Sequence, residues 1–113
     1  MKMSMMRDGL EISVSTEETK LTVTLKGRLD TSTSPELERE MIPLLRGVTE
    51  LTLELAELEF ITSAGLRVLL QAVQIMNDQG EMTVTHPNSE VREVFEITGF
   101  DGILTIRPEI KTD

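Results

Sequence analysis

At 113 residues, with 39% hydrophobic and 27% charged side chains, the chain is sized for one globular domain around a single buried core. No apolar run approaches the length of a membrane span, and the absence of Cys excludes disulfides and thiolate chemistry while fitting a reducing cytoplasm. A net charge of −9 repels phosphate backbones and anionic lipid, and three Phe without Tyr or Trp leave no platform for stacking bases; the acidic surface favours a partner with a basic face, or equally serves solubility alone.

In chain order, the opening MKMSMMRDGL has no sustained apolar stretch, so residues 1–9 read as a flexible leader rather than a secretory signal. Leu10, Ile12 and Val14 alternate with polar residues, as do Leu21, Val23 and Leu25; these are two half-buried strands joined by the polar turn Thr16–Lys20. The loop after Gly27 runs into a helix announced by Ser34-Pro35, with Leu37, Met41, Leu44 and Leu45 on one face and Pro43 shortening or kinking it. Leu51, Leu53 and Leu55 make a third strand. Ser63 to Gln79 reads as the longest helix, its stripe Leu66, Leu69, Leu70, Val73 and Met76 widened by Val68, Ala72 and Ile75, and Gly80 closing it as a left-handed residue. Met82 and Val84 form a fourth strand. Asn88 or Ser89 caps the next helix, with Val91, Val94 and Phe95 inward and Gly99 at its end, and Ile103, Leu104 and Ile106 suggest a last strand. The order ββαβαβαβ predicts an α/β fold, a mixed sheet of four to five strands with three to four helices packed on it. Residues 10–108 form the domain and 109–113 a C-terminal tail.

Catalysis has few places to reside. His86, the single histidine, lies beside Pro87 at a strand end with no evident nucleophile or base partner and reads as a surface residue. No phosphate loop, dinucleotide-binding glycine pattern or calcium-loop spacing is present, so neither cofactor nor metal is implied. Two polar loops remain, Asp30-Thr31-Ser32-Thr33-Ser34 and Thr62-Ser63-Ala64-Gly65, each between a strand and a helix. If those strands are parallel, both loops open at one end of the sheet, where binding sites of open α/β sheets gather. Ser63 would then sit at a helix N-terminus, which is hospitable to phosphate; Ser is equally a preferred helix cap. The physics of the position leaves both readings open.

The succession LKGRLDTSTSPEL, LTLELAELEFITSAGLRVLL, G-x-M-x-V-x-x-P and VREVFEITGFDGIL resembles the STAS domain, and within it the bacterial anti-sigma factor antagonists, over roughly Leu10 to Arg107. The resemblance implies a non-enzymatic switch protein of the cytoplasm, active in transcription regulation by partner switching. Its serine two residues before the Gly-Leu pair, here Ser63, is phosphorylated by an ATP-dependent serine kinase that is also the anti-sigma factor, and a PP2C-type phosphatase removes the phosphate. Partner contacts are expected from Asp30, Thr31, Ser32 and Thr33 of the first loop and from Thr62, Ser63, Ala64, Gly65 and Leu66 of the second. The family usually has Asp directly before the serine, where this chain has Thr62, and commonly Ser or Thr after it, where this chain has Ala64. Asp30 matches the acidic residue of the family's first loop; alternatively it caps a local turn. Thr62 also keeps a competing reading in play: a STAS module that is not phosphorylated and serves as a scaffold or accessory subunit of a signalling assembly or transporter.

Overall fold

Alternating apolar residues pin one face of each long strand to the interior, and the helices follow from where that alternation breaks. The computed structural model of the protein describes residues 2–7, as backbone, and residues 9–107. Six strands appear among them: β1 (Lys2–Arg7), β2 (Leu10–Glu17), β3 (Lys20–Leu29), β4 (Glu50–Ile61), β5 (Glu81–Thr85) and β6 (Thr105–Arg107). Three α-helices connect the later ones: α1 (Ser34–Met41), α2 (Ser63–Asn77) and α3 (Ser89–Thr98).

The strands lie side by side in chain order in one sheet. The β1–β2 and β2–β3 pairs are antiparallel, whereas β3–β4, β4–β5 and β5–β6 are parallel, each parallel pair bridged by one helix. From residue 10 onward this is the mixed α/β sheet expected from the pattern. The extra strand is the correction: residues 2–7, expected as part of a flexible leader, run antiparallel to β2 from Lys2 opposite Ser15 to Arg7 opposite Leu10. The expected tail, 109–113, lies outside the described residues.

Leu10, Ile12, Leu21, Val23, Leu25, Leu51, Leu53, Leu55 and Val84 turn to one face and are buried with Leu37, Met41, Leu69, Ala72, Met76, Val91 and Phe95 of the helices. The opposite face is left polar. One row of it, Ser15, Thr22, Thr52, Thr83 and Thr105, crosses five strands in register, and β-branched hydroxyl pairs across strands favour a sheet.

Several local expectations change on the same physical grounds. Pro43 ends α1 at Met41 and the chain continues as a 3-10 turn, Ile42–Leu45, which swings Leu44 out to solvent while Leu45 stays buried. Ile103 precedes β6 and is exposed, leaving Leu104 to fill the core. Helix α2 ends at Asn77, and Gly80 is not left-handed: a side chain there would strike the backbone carbonyl of Thr49. Gly99 does take the left-handed conformation, φ 82°, after α3, and Asn88 caps that helix by accepting from Val91 N–H at 2.8 Å.

Candidate functional site

Because β3 and β4 are parallel, the loops that follow them open at the same end of the sheet. They are also tied together, since Thr62 N–H donates to the Leu29 carbonyl at 3.0 Å.

The first loop is knotted around Asp30. Its Oδ1 accepts from Ser32 N–H at 3.0 Å, from the Ser32 hydroxyl at 2.9 Å and from Thr33 N–H at 3.1 Å. The Thr33 hydroxyl donates to the Arg28 carbonyl at 2.9 Å and accepts from Asp30 N–H at 2.9 Å, and the Ser34 hydroxyl reaches back to the Asp30 carbonyl at 2.6 Å. The Ser32 hydroxyl, ahead of the Thr33 and Ser32 amides, holds the Asp30 carboxyl below its ordinary range against an opposing contribution from desolvation. Its second oxygen lies 3.7 Å from Arg28 Nε. The turn-capping role considered for Asp30 is therefore present in full.

The second loop is shaped by Gly65. A Cβ there would lie 2.7 Å from Leu29 Cγ and 2.9 Å from Ile61 Cγ1, so only glycine lets the first turn of α2 settle against the ends of β3 and β4. Thr62, extended at φ −106° and ψ 178°, occupies the cap position but its side chain makes no cap bond. Its hydroxyl is buried without a hydrogen-bond partner. Ser63 is thus the first helical residue rather than the cap. It is exposed, and the amides of Ser63, Ala64 and Gly65 precede the first backbone bond of the helix, Leu66 N–H to the Thr62 carbonyl at 3.0 Å. A hydroxyl in that position stands at the electropositive tip of the dipole.

The structure divides the nine residues expected to meet a partner. Thr31, Ser32 and Ser63 are exposed, and Asp30, Thr62 and Ala64 are half-buried. Thr33, Gly65 and Leu66 are buried and form the floor beneath that surface instead of the surface itself: Thr33 is consumed by the Asp30 knot, Gly65 by contact with Leu29 and Ile61, and Leu66 by the core. Between α1 and α2 lies a cleft of about 250 Å³ whose walls include Thr31, Ser34, Glu38, Ala64, Arg67 and Gln71. Gln71 spans it, donating to Glu38 at 2.9 Å.

His86 proves to have a partner that the sequence did not disclose. Its Nδ1 lies 2.9 Å from Glu54 Oε1 on the open sheet face, and its backbone is left-handed at φ 57°. Burial pushes the Glu54 carboxyl up, but the bonds from His86, Thr85 and the Ala56 amide outweigh it, and the net displacement is downward. Register placed this pair together; spacing in the sequence, residues 54 and 86, carried no sign of it.

Fold and site together define a small α/β domain offering two hydroxyl-bearing loops at one end of a mixed sheet. The STAS domain model matches residues 11–112. A protein of Bordetella bronchiseptica assigned as an anti-sigma factor antagonist, BtrV, is 39% identical over 84 residues, covering 73% of this chain and 72% of its own. Among solved structures, an anti-sigma factor antagonist from Mycobacterium paratuberculosis superposes with a TM-score of 0.82 at 22% identity, covering 93% of this chain and 91% of its own. The Bacillus cell fate determinant SpoIIAA in its phosphorylated form gives 0.67 at 18% identity, covering 87% and 92%. The chain belongs to the STAS domain family, in its anti-sigma factor antagonist branch. Proteins of this branch are regulators without enzymatic activity. No helix among the described residues is long and apolar enough to cross a membrane.

Proposed function

We propose that the protein is a cytoplasmic partner switch: unphosphorylated, it docks the surface of Asp30, Thr31, Ser32, Thr62, Ser63 and Ala64 against a basic face of an anti-sigma factor that is also a serine kinase. Docking sequesters that inhibitor and frees a sigma factor. In the reverse step the Ser63 hydroxyl takes the γ-phosphoryl group of ATP, releasing ADP and a proton, and a PP2C-type phosphatase later hydrolyses the ester. The observation that carries the reading is Ser63 itself, exposed at the first position of α2 at the sheet end shared with the Asp30 loop.

Phosphorylation adds about −1.5 to −2 charges at neutral pH. The N-terminus of α2 accommodates them, so the fold survives. The interface does not: seating a dianion beside the Asp30 carboxylate at a contact requires its desolvation against a like charge, which costs several kcal/mol, and about 1.4 kcal/mol is tenfold in affinity. Incubation with the kinase and ATP, followed by mass spectrometry, should find phosphate on Ser63 alone. Ser63→Ala should bind and stay unmodified, whereas Ser63→Asp should fold normally and bind at least about tenfold more weakly. Equal binding by Ser63→Asp would exclude the electrostatic mechanism.

One observation favours the second reading, a STAS scaffold that is never phosphorylated. Thr62 stands where the family usually has Asp, and its hydroxyl is turned inside, so it offers a kinase no carboxylate at that place. Absence of phosphate on Ser63 after incubation with each kinase-type anti-sigma factor of the same bacterium would select that reading.

A further inference from the structure

Strand β4 does not keep its alternation. It buries every second residue from Leu51 to Leu55 and then every third, at Leu58 and Ile61. The cause is a pair of irregularities against β3. Thr24 pairs with Glu54 but Lys26 with Glu57, and Gly27 pairs with Leu58 but Arg28 with Phe60. Each places one more residue on β4 than on β3, as a β-bulge does. Glu59 is the extra residue of the second irregularity. Had the strands stayed paired residue for residue, Glu59 would face Arg28 and Phe60 would turn inward with Leu29; instead Phe60 pairs with Arg28, points outward and is 36% exposed.

This sets Phe60 apart from the other two aromatic side chains, since Phe95 is fully buried and Phe100 packs half-buried against the core. It also differs from the remaining exposed large apolar residues. Leu44, Ile97 and Ile103 lie on helices and a connection, where no strand register had to be broken to expose them. Bulges beside functional surfaces re-aim side chains, and this one turns a ring out within reach of both loops. Phe60 is in register with Arg28, whose Nε lies 3.7 Å from Asp30. Three steps along the chain lead from it to Ser63, a span of at most about 11 Å.

We infer that Phe60 is the apolar anchor of the docking surface, and that the anti-sigma kinase receives it in an apolar socket rimmed by Lys or Arg. The inference rests on the docking reading above and specifies what that partner must present. Charge gives the rim its sign: exposed Glu59 precedes Phe60 in the chain and ionised Asp30 follows the neighbouring strand. Aromatic side chains that fill a desolvated socket dominate interface energetics, while charges at the rim govern encounter. A phosphate on Ser63 would then have to be desolvated at the edge of the same socket before the ring could seat.

The test measures dissociation constants and rates for wild type, Phe60→Ala, Asp30→Lys and Ser63→Asp against the kinase-type anti-sigma factors of the same bacterium, at low and high salt, with thermal midpoints for each variant. Phe60→Ala should weaken binding about tenfold or more, through faster dissociation at both salts, with an unchanged midpoint. Asp30→Lys should slow association chiefly at low salt. If Phe60→Ala loses stability, Phe60→Gln replaces it and must bind weakly at the wild-type midpoint. Binding as tight as wild type by either Phe60 variant, while Ser63→Asp weakens, overturns the anchor and leaves the switch standing. Loss of midpoint in both Phe60 variants overturns it too, by making the ring structural. A wild-type chain that binds none of these kinases sinks the switch and the anchor together.

Discussion

Gly65→Ala pits two known effects of opposite sign against each other. Within a helix, Ala is favoured over Gly by up to about 1 kcal/mol, and Gly65 has no left-handed φ that would penalise a side chain. Propensity alone thus predicts stabilisation. Against it stands the packing: the added carbon would lie 2.7 Å from Leu29 Cγ, 2.9 Å from Leu29 Cδ2 and 2.9 Å from Ile61 Cγ1. Neither neighbour has open space to yield into, since Leu29 is 0% exposed and Ile61 4%, and Leu29 is fixed by its carbonyl bond to Thr62. Overpacking of this kind costs about 1–3 kcal/mol, and the lack of a soft direction places it in the upper half of that range. The net expectation is a loss of about 1–2 kcal/mol, or roughly 4–8 °C in midpoint for a domain of this length. Calorimetry or circular dichroism on the purified variant reads it directly. A rise of about 2–4 °C, as propensity alone would give, would refute the claim that glycine is needed for the approach of α2 to β3 and β4.

Thr62→Val tests the neighbouring position: removing a buried hydroxyl without a partner should leave stability unchanged or raise it by up to about 1 kcal/mol. A loss of about that size would instead reveal a working helix cap. Asp30 supplies a pH dependence. Its carboxyl is held below the ordinary 3.8, so its contribution is complete above that value and fades as pH falls through the lower, folded-state value. The stability difference between wild type and Asp30→Asn, taken from urea midpoints, should therefore be constant near neutrality and shrink below about pH 3.8; a difference that persists unchanged into that acid range would show that ionised Asp30 is not what the knot stabilises.

The order of elements was legible because β2, β3 and α2 carry long, clean periodicities, two in the strands and three-four in the helix. What escaped has a common physical character. The third strand was expected only at Leu51, Leu53 and Leu55, whereas β4 runs on to Ile61. The continuation was hidden because its period changes from two to three, and a shift of register is a property of the pair β3–β4, not of either segment alone. The spacing Leu55, Leu58, Ile61 was the available signal, and with it Phe60 could have been placed outside. The position of Ser63 at the start of α2 was legible from its place between an apolar strand and an apolar helix. The burial of Thr33 was not, because a threonine among Asp, Ser and Thr looks like its neighbours until the loop closes and its hydroxyl is drawn to the Arg28 carbonyl. β1 was missed as well, although Met3 and Met5 alternate with Lys2 and Ser4, because so short an alternation at the chain's start is a weak signal until its pairing with β2 is seen.

These features bear on how a single phosphate could be read. The end of the sheet is held from several directions: Asp30 closes its own loop, Thr62 ties β4 to β3, Gly65 fixes the angle of α2, and Asn88 donates to the Leu58 carbonyl at 3.0 Å from the far side of β4. Each of these interactions is spent internally, while Thr31, Phe60 and Ser63 are among the groups turned outward. A dianion on Ser63 meets a helix tip that accepts it and a scaffold held by these bonds. On the proposed reading, the message must then be carried at the surface, where a dianion near the Asp30 carboxylate has to be desolvated before the ring can seat.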